Sequence, residues 1–485
     1  MKIHFHPTSS SGGPPRKKGN LFLDALAQIR RADAKAEIGP TPKNNKSLLN
    51  AAKKGDLVEL HVALLSGAFV DARDKLQNTP LILAAWKGHT EVVRSLLEHK
   101  ADPNAQETIG NTALQFATFK GYAKVVCCLL EHNADANVQN QYGEVPLIVA
   151  SGKGHAEVVR SLLQHNASVN ALDQYGNTPL ILASSGGHTE VVHSLLQYGA
   201  KVDAKNQSGN TALIVAVCHE HTEVVRSLLQ HNANVNAWNK WGNTALIIAA
   251  TEGHVSVTEV LLEGGANPRM TGFQGITPLR VATDERIIRL LQERANTLDR
   301  RLLEAAKSGD GQNLIAALAS GADVEARDER GWTPLCAASA RGHEHVIKSL
   351  LQLGAKLNAE DTELNSPLIL AAWNGKLNAV KMLVARGAAS DDFTAIFAKG
   401  VSINHQNRAG MTALHCAAQN GFSEIAGVLL DHNASHGLED TNGNFPLALA
   451  IQNQHPDVEA VLRRRGAPEK RGSPRDDFGG SGFSS

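Results

Sequence analysis

The sequence predicts an all-α helical solenoid in which helix-turn-helix units stack one on the next. Three observations predict it. Gly110, Gly143, Gly176, Gly209, Gly242 and Gly275 follow one another at a spacing of 33 residues, and a fixed period in this range marks a repeat architecture. After each of the first five stands a unit such as Asn177-Thr-Pro-Leu-Ile-Leu-Ala. Each unit then carries two apolar stretches at helical spacing, neither longer than about ten residues, which is too short to persist alone in water. Their stability must come from contacts between neighbouring units.

The parts of a unit follow from local chemistry. Thr79, Thr178, Thr277 and Thr333 stand where a hydroxyl caps the free amides that open a helix. Pro80, Pro179, Pro278 and Pro334 come next, at the first helical position, where no N–H is needed. Gly88, Gly121, Gly154 and Gly187 fall where the short helix must end in a left-handed residue. A second helix follows, with Val92, Val93, Leu96 and Leu97 on one face. The stretch from Asn104 to Gly110 reads as an extended finger with a turn at its tip.

A period of 33 with a threonine-proline-leucine opening resembles the ankyrin repeat. The resemblance covers roughly Ser47 to Pro468. It implies stacked helix pairs with β-turn fingers, no catalysis, and partners docked on the face made by finger tips and first-helix ends. The family's histidine after threonine-proline-leucine is matched only by His415; Ile82, Gln115, Ile148, Ile181, Ile214, Ile247, Arg280, Cys336 and Ile369 stand there instead. Apolar contact is therefore expected to replace that polar network over most of the array. Glu220 takes the place of a helix-ending glycine, which predicts local strain.

Along the chain, residues 1–45 read as a flexible arm with a short amphipathic helix through Phe22, Leu26 and Ile29. Residues 46–297 form a first array, opening on a charged capping unit from Leu48 to Gln77. Near 276–300 a unit loses its middle turn, and Leu302-Leu-Glu-Ala-Ala-Lys-Ser-Gly restarts the cap pattern. A second array thus spans 298–468, with an insertion near 389–400 that includes Phe393, Ile396 and Phe397. Arg463 replaces a leucine and suits a polar end face, and residues 469–485 read as a disordered tail.

Composition narrows the function. The 48 basic and 48 acidic residues cancel, which argues against nucleic acid or an anionic membrane surface as partner. No apolar run approaches the ~20 residues of a bilayer crossing, and the amino terminus lacks the apolar core of a secretory signal. Cys127, Cys128, Cys218, Cys336 and Cys416 make neither a disulfide framework nor a metal spacing. Four of them are expected as buried thiols, which points to a reducing compartment, cytoplasmic or nuclear. Ankyrin proteins also include bacterial effectors, and the polar tail would then address the host cytosol.

No phosphate loop, G-x-S-x-G elbow or H-E-x-x-H occurs, and no cofactor is expected. His219 with His221, and His343 with His345, fall too far apart around a turn to share a metal. The row His99, His132, His165 and His231 repeats at the spacing of packed helices, roughly 8–10 Å, against the ~2 Å of a zinc ligand. A structural role is expected.

Binding is expected instead on a protein partner, with the chain as scaffold or adaptor, or alternatively as a structural spacer. The helix-end places hold Trp86 and Lys87, Phe119 and Lys120, Lys153, Arg341, and Trp373 with Asn374. The finger tips hold Tyr142, Tyr175 and Trp241, with Trp238 at a finger base. Large aromatics at such places act as interface anchors. The row Lys87, Lys120 and Lys153 would suit an acidic or phosphorylated segment of the partner.

Overall fold

The threonine-proline openings become helix starts as their chemistry requires. Thr79 Oγ1 accepts the Ile82 amide at 3.3 Å with Pro80 in the first turn, and Gly88 closes the helix at φ 77°. The same cap recurs at Thr178, Thr211, Thr244 and Thr333. Val145 breaks the series and leaves its helix without a side-chain cap.

The computed structural model describes residues 41–388 and 400–468, which form 25 α-helices and no strand. The opening pairs are Pro42–Lys54 with Leu57–Leu65 (α1, α2), Pro80–Lys87 with Thr90–Glu98 (α3, α4), and Ala113–Lys120 with Ala123–Glu131 (α5, α6). Next come Pro146–Lys153 with Ala156–Gln164 (α7, α8) and Pro179–Ser185 with Thr189–Gln197 (α9, α10). Ala212–Cys218 with Thr222–Gln230 (α11, α12) and Ala245–Glu252 with Val255–Glu263 (α13, α14) complete the run. There follow Pro278–Val281 (α15), Glu285–Ser308 (α16), Gly311–Ala319 (α17), and Pro334–Arg341 with Glu344–Gln352 (α18, α19). Pro367–Trp373 with Leu377–Ala388 (α20, α21), Ala413–Asn420 with Ser423–Asp431 (α22, α23), and Pro446–Gln452 with Pro456–Arg464 (α24, α25) complete the described residues. The arm up to residue 40, the insertion with Phe393, Ile396 and Phe397, and the tail expected over 469–485 lie outside the described residues.

Two compact units divide the chain, Met1–Gly264 with Gly272–Gly275, and Gly265–Thr271 with Ile276–Ser485. Residues 276–297, read from the sequence as the end of the first array, belong to the second unit. The boundary at 297/298 falls inside α16, an uninterrupted helix of 24 residues capped by Asp284. The missing finger is the cause: where other repeats turn outward after the second helix, this one carries Ala295-Asn-Thr-Leu-Asp-Arg-Arg with no glycine, so the second helix of one repeat runs into the first helix of the next.

Within each unit the interior is a continuous apolar row. Leu81, Ile82, Val92, Val93, Leu96 and Leu97 are all buried, and the pattern repeats along both units. Burying a side chain of that size stabilises by about 1.5–3 kcal/mol, which helices of seven to nine residues require in order to form.

Hydrogen bonds then lock one repeat onto the next. Asn104 Oδ1 accepts the Asp135 amide (2.7 Å), Asn137 that of Ser168 (2.7 Å) and Asn170 that of Lys201 (2.9 Å). At the finger tips the Thr108, Gln141, Gln207 and Lys240 amides donate to the carbonyls of Leu76, Ile109, Tyr175 and Ser208. Histidines form a further set. His155, His188, His221 and His343 donate through Nε2 to the carbonyls of Phe119, Gly152, Ser185 and Lys307 in the preceding repeat. Their rings lie against Gly121, Gly154, Gly187 and Gly309.

Glu220 is held at φ 56°, a region costly for a residue with a Cβ. Next to it His254 makes no such carbonyl bond and instead places Nδ1 3.6 Å from the Glu220 carboxylate. The expected loss of the polar network has one exception beside His415. Gln115 Oε1 accepts the Thr112 amide (2.9 Å) while Nε2 donates to the Glu144 carbonyl (3.0 Å), because an amide offers the same donor and acceptor as a neutral imidazole.

Among the cysteines Cys128, Cys336 and Cys416 are buried, Cys127 is half-buried and Cys218 is exposed at the end of α11. That is one fewer buried thiol than expected, because Cys218 replaces a residue of the solvent-facing helix end. Burial raises the Cys128 and Cys336 thiols above their ordinary value and pushes Cys416 to about 12.

Candidate partner-binding groove

In the first unit the end of α5, the end of α7 and two successive finger tips converge. Phe119, Tyr142, Lys153 and Tyr175 line one groove of about 450 Å³ there, with Ile148 and Leu182 at its base. The finger backbone fixes the two tyrosines, as the Tyr142 amide donates to Asn140 Oδ1 (3.0 Å) and that of Tyr175 to Asp173 Oδ1 (2.8 Å). Tyr142 is 56% exposed and Tyr175 60%, so their rings have faces free for a ligand.

Lysines share this site. The Lys153 ammonium stands 4.8 Å from the Phe119 ring centroid and that of Lys120 5.7 Å, so two cations lie within reach of one ring. Lys87, at the end of α3, is exposed. Trp86 is 40% exposed and stacks on Phe116, centroids 5.2 Å apart and planes 4° from parallel. One face of that indole is thus committed to the repeat–repeat contact.

The remaining residues expected at the site do not join this groove. Trp238 and Trp241 are exposed on a finger two repeats further on, where Trp238 makes a lone antiparallel bridge with Thr244. Trp373, Asn374 and Arg341 belong to the second unit. Trp373 is exposed, Asn374 turns its side-chain amide onto the Leu370 carbonyl (2.8 Å), and Arg341 lines a separate groove.

Two residues missed in the sequence are Glu144 and Asp173, which line the groove together. At neighbouring junctions an asparagine pair ties the fingers, as Asn140 donates to Asn111 (3.0 Å), Asn206 to Asn177 (2.8 Å) and Asn239 to Asn210 (3.1 Å). Glu144 and Asp173 hold the equivalent places, and two carboxylates have no proton to share. The Gln174 amide correspondingly makes no bond to the Tyr142 carbonyl, although its counterparts at 108, 141, 207 and 240 bond across. Glu144 standing in the column of Asn78, Asn111, Asn177, Asn210 and Asn243 was the legible signal. Glu144→Asn is expected to close this junction and raise stability by about 0.5–1 kcal/mol, the worth of one restored bond. A urea midpoint that does not rise would contradict it.

The histidine rows serve the fold. His99, His132 and His165 each place Nδ1 2.8 Å from the carbonyl four residues back, and His231 at 2.9 Å, which satisfies a helix end. His219 and His221 have ring centroids 6.0 Å apart with His221 spent on Ser185. Among the described residues no group of three or more His, Cys, Asp or Glu side chains could hold a metal ion. No helix among them is long and apolar enough to cross a membrane.

Comparison with known proteins agrees with this architecture. A family profile described as "Ankyrin repeats (3 copies)" matches residues 48–140, 122–206, 199–272, 302–394 and 388–470. The Potassium channel AKT1 of Oryza sativa subsp. indica is 41% identical over 68 residues, 14% of this chain and 7% of the channel. The Ankyrin repeat and sterile alpha motif domain-containing protein 1B of Danio rerio is 42% identical over 139 residues, 28% of this chain and 10% of that protein. The alignments thus span a tenth or less of these relatives' own length. Period, caps, fingers and a family match across most of its length agree, and the chain belongs to the ankyrin repeat family.

Proposed function

We propose that this protein is a non-catalytic scaffold or adaptor of the cytoplasm or nucleus, which grips a segment of a partner protein in the groove of its first unit. Ankyrin repeats are in general protein-interaction modules, and the partner is the finer reading. One observation carries it: Phe119, Tyr142 and Tyr175 leave three aromatic rings exposed around one groove. Exposed aromatics that converge are costly in water and become anchors once a partner covers them. Lys153, which lines the groove with Glu144 and Asp173, and Lys120 over Phe119 continue a helix-end row that starts one repeat earlier at Lys87, and this row favours acidic or phosphorylated side chains on that segment.

Alanine at Tyr142 or Tyr175 is expected to weaken partner capture about tenfold each, within the range of interface anchors. Both side chains are exposed, so stability should move by no more than ~0.5 kcal/mol. Pull-down with quantified recovery, beside a urea melt, reads both. Undiminished capture by the double variant would refute the groove as the site.

A further inference from the structure

We propose that the second unit carries a separate site for a single phosphate group on a segment of a partner protein, built by Arg300, Arg330 and Arg341. The three line one groove of about 730 Å³, yet they come from three elements: the middle of α16, a finger tip and the last residue of α18. Their backbones are pinned. Arg330 donates its amide to Asp328 Oδ1 (3.0 Å), and its carbonyl accepts the Thr362 amide (3.1 Å) and hydroxyl (2.9 Å). Arg341 precedes Gly342, which stops the helix at φ 77°. All three side chains are exposed, and none has a carboxylate partner among the described residues.

The groove does hold carboxylates, but most are already occupied. Asp299 receives both Arg269 nitrogens, at 2.9 and 2.7 Å. Glu304 and Asp328 share Lys307, at 3.7 and 3.3 Å. Glu329 has no such cation, and the single charge of Lys307 leaves one further negative charge over on the Glu304–Asp328 pair. Arg327 adds a fourth guanidinium, whose Nη1 rests on the Gly331 (3.0 Å) and Glu360 (2.5 Å) carbonyls, so its charge also stays uncompensated. Trp332, its indole N–H spent on Asp361 (3.1 Å), supplies an apolar wall.

Planar guanidinium forks match phosphate oxygens two at a time, and a phosphorylated side chain carries about −1.5 to −2 charges. Four guanidinium charges, Arg327 included, stand against two residual negative charges, Glu329 and the one that Lys307 leaves over on Glu304 and Asp328, and the net excess of two complements a dianion better than a single carboxylate. A polyanion fits badly, because Glu329 and the neighbouring finger's Glu360 and Glu363 would face its further phosphates. The occupant is one phosphorylated residue within a protein segment.

Fluorescence anisotropy with the full chain tests this, using a degenerate peptide pool around a fixed phosphoserine and the same pool without phosphate. The phosphorylated pool should bind at least tenfold more tightly. Arg300→Gln, Arg330→Gln and Arg341→Gln should each cost roughly tenfold, as charge-assisted bonds do, and inorganic phosphate should compete. Lysine at the same places keeps the charge and should recover only part of the loss. The pair Tyr142→Ala and Tyr175→Ala should leave this binding unchanged, which separates it from the aromatic groove. Equal binding of the two pools, no binding of either, or undiminished binding by the triple glutamine variant would overturn the proposal. So would a single-stranded oligonucleotide that binds more tightly than the phosphopeptides and loses binding with the same substitutions.

Discussion

Replacing His415 by alanine is expected to destabilise the second unit by about 3–4 kcal/mol, the sum of a core cavity and two bared polar groups. The ring is fully buried. Its Nδ1 receives the Thr412 amide (3.2 Å) and hydroxyl (2.8 Å), and its Nε2 donates to the Asn444 carbonyl (3.1 Å). Alanine leaves that amide and that carbonyl buried without partners. Glutamine should be tolerated within about 1 kcal/mol, since an amide side chain carries both the acceptor and the donor required. Gln115 already performs this task, with Oε1 on the Thr112 amide and Nε2 on the Glu144 carbonyl.

The same residue sets a pH dependence. Burial lowers the His415 pKa below its ordinary 6.5, outweighing the Asn444 bond and the Asp440 charge, which raise it. The unfolded chain therefore binds the proton that the folded unit refuses, so stability is present above about pH 6.5 and is lost as pH falls below it. Asp440 adds an acid loss of its own. Burial pushes its carboxyl up, but the Asn444 and Asn442 bonds and His415 hold it below the usual range. His415→Gln should flatten the step just below neutrality, with urea midpoints near pH 7.5 and 5 as the readout, while the Asp440 loss at more acid pH persists through its Asn444 and Asn442 bonds without the His415 contribution. An unchanged step in the glutamine variant would contradict the assignment.

Gly154→Ala is expected to cost about 3 kcal/mol, and Gly253→Ala about 1–2 kcal/mol, the price of a Cβ in the left-handed region alone. The backbone is alike, at φ 76° and 79°. The surroundings differ. A Cβ on Gly154 would meet His188 Nδ1 at 2.5 Å, whereas one on Gly253 meets nothing within 4 Å. The His188 ring must therefore shift and release its bond to the Gly152 carbonyl (3.3 Å). Urea unfolding of the two variants side by side isolates this inter-repeat contact. Equal losses would mean that the ring moves aside without cost.

Individual places in the candidate site were legible, but their grouping was not. Phe119, Tyr142, Lys153 and Tyr175 were readable as helix-end and tip residues, because a repeat of fixed period gives each column one orientation. That Lys153 reaches over Phe119, or that Trp86 spends a face on Phe116, depends on side-chain reach across repeats, which a column cannot express. Arg300 could not be read at all, since it lies where the periodicity fails.

By itself the sequence determined the repeat period, the threonine, proline and glycine punctuation of each helix pair, and the apolar face each pair must bury. These follow from chemistry within a few residues, where caps and backbone preference act. Tertiary structure alone decided that α16 runs unbroken through the expected boundary, that Glu144 and Asp173 leave one finger junction unbonded, and that the arginines of three elements meet in one groove. Each of these depends on which groups face one another across repeats, and only the stacking of the repeats fixes that distance.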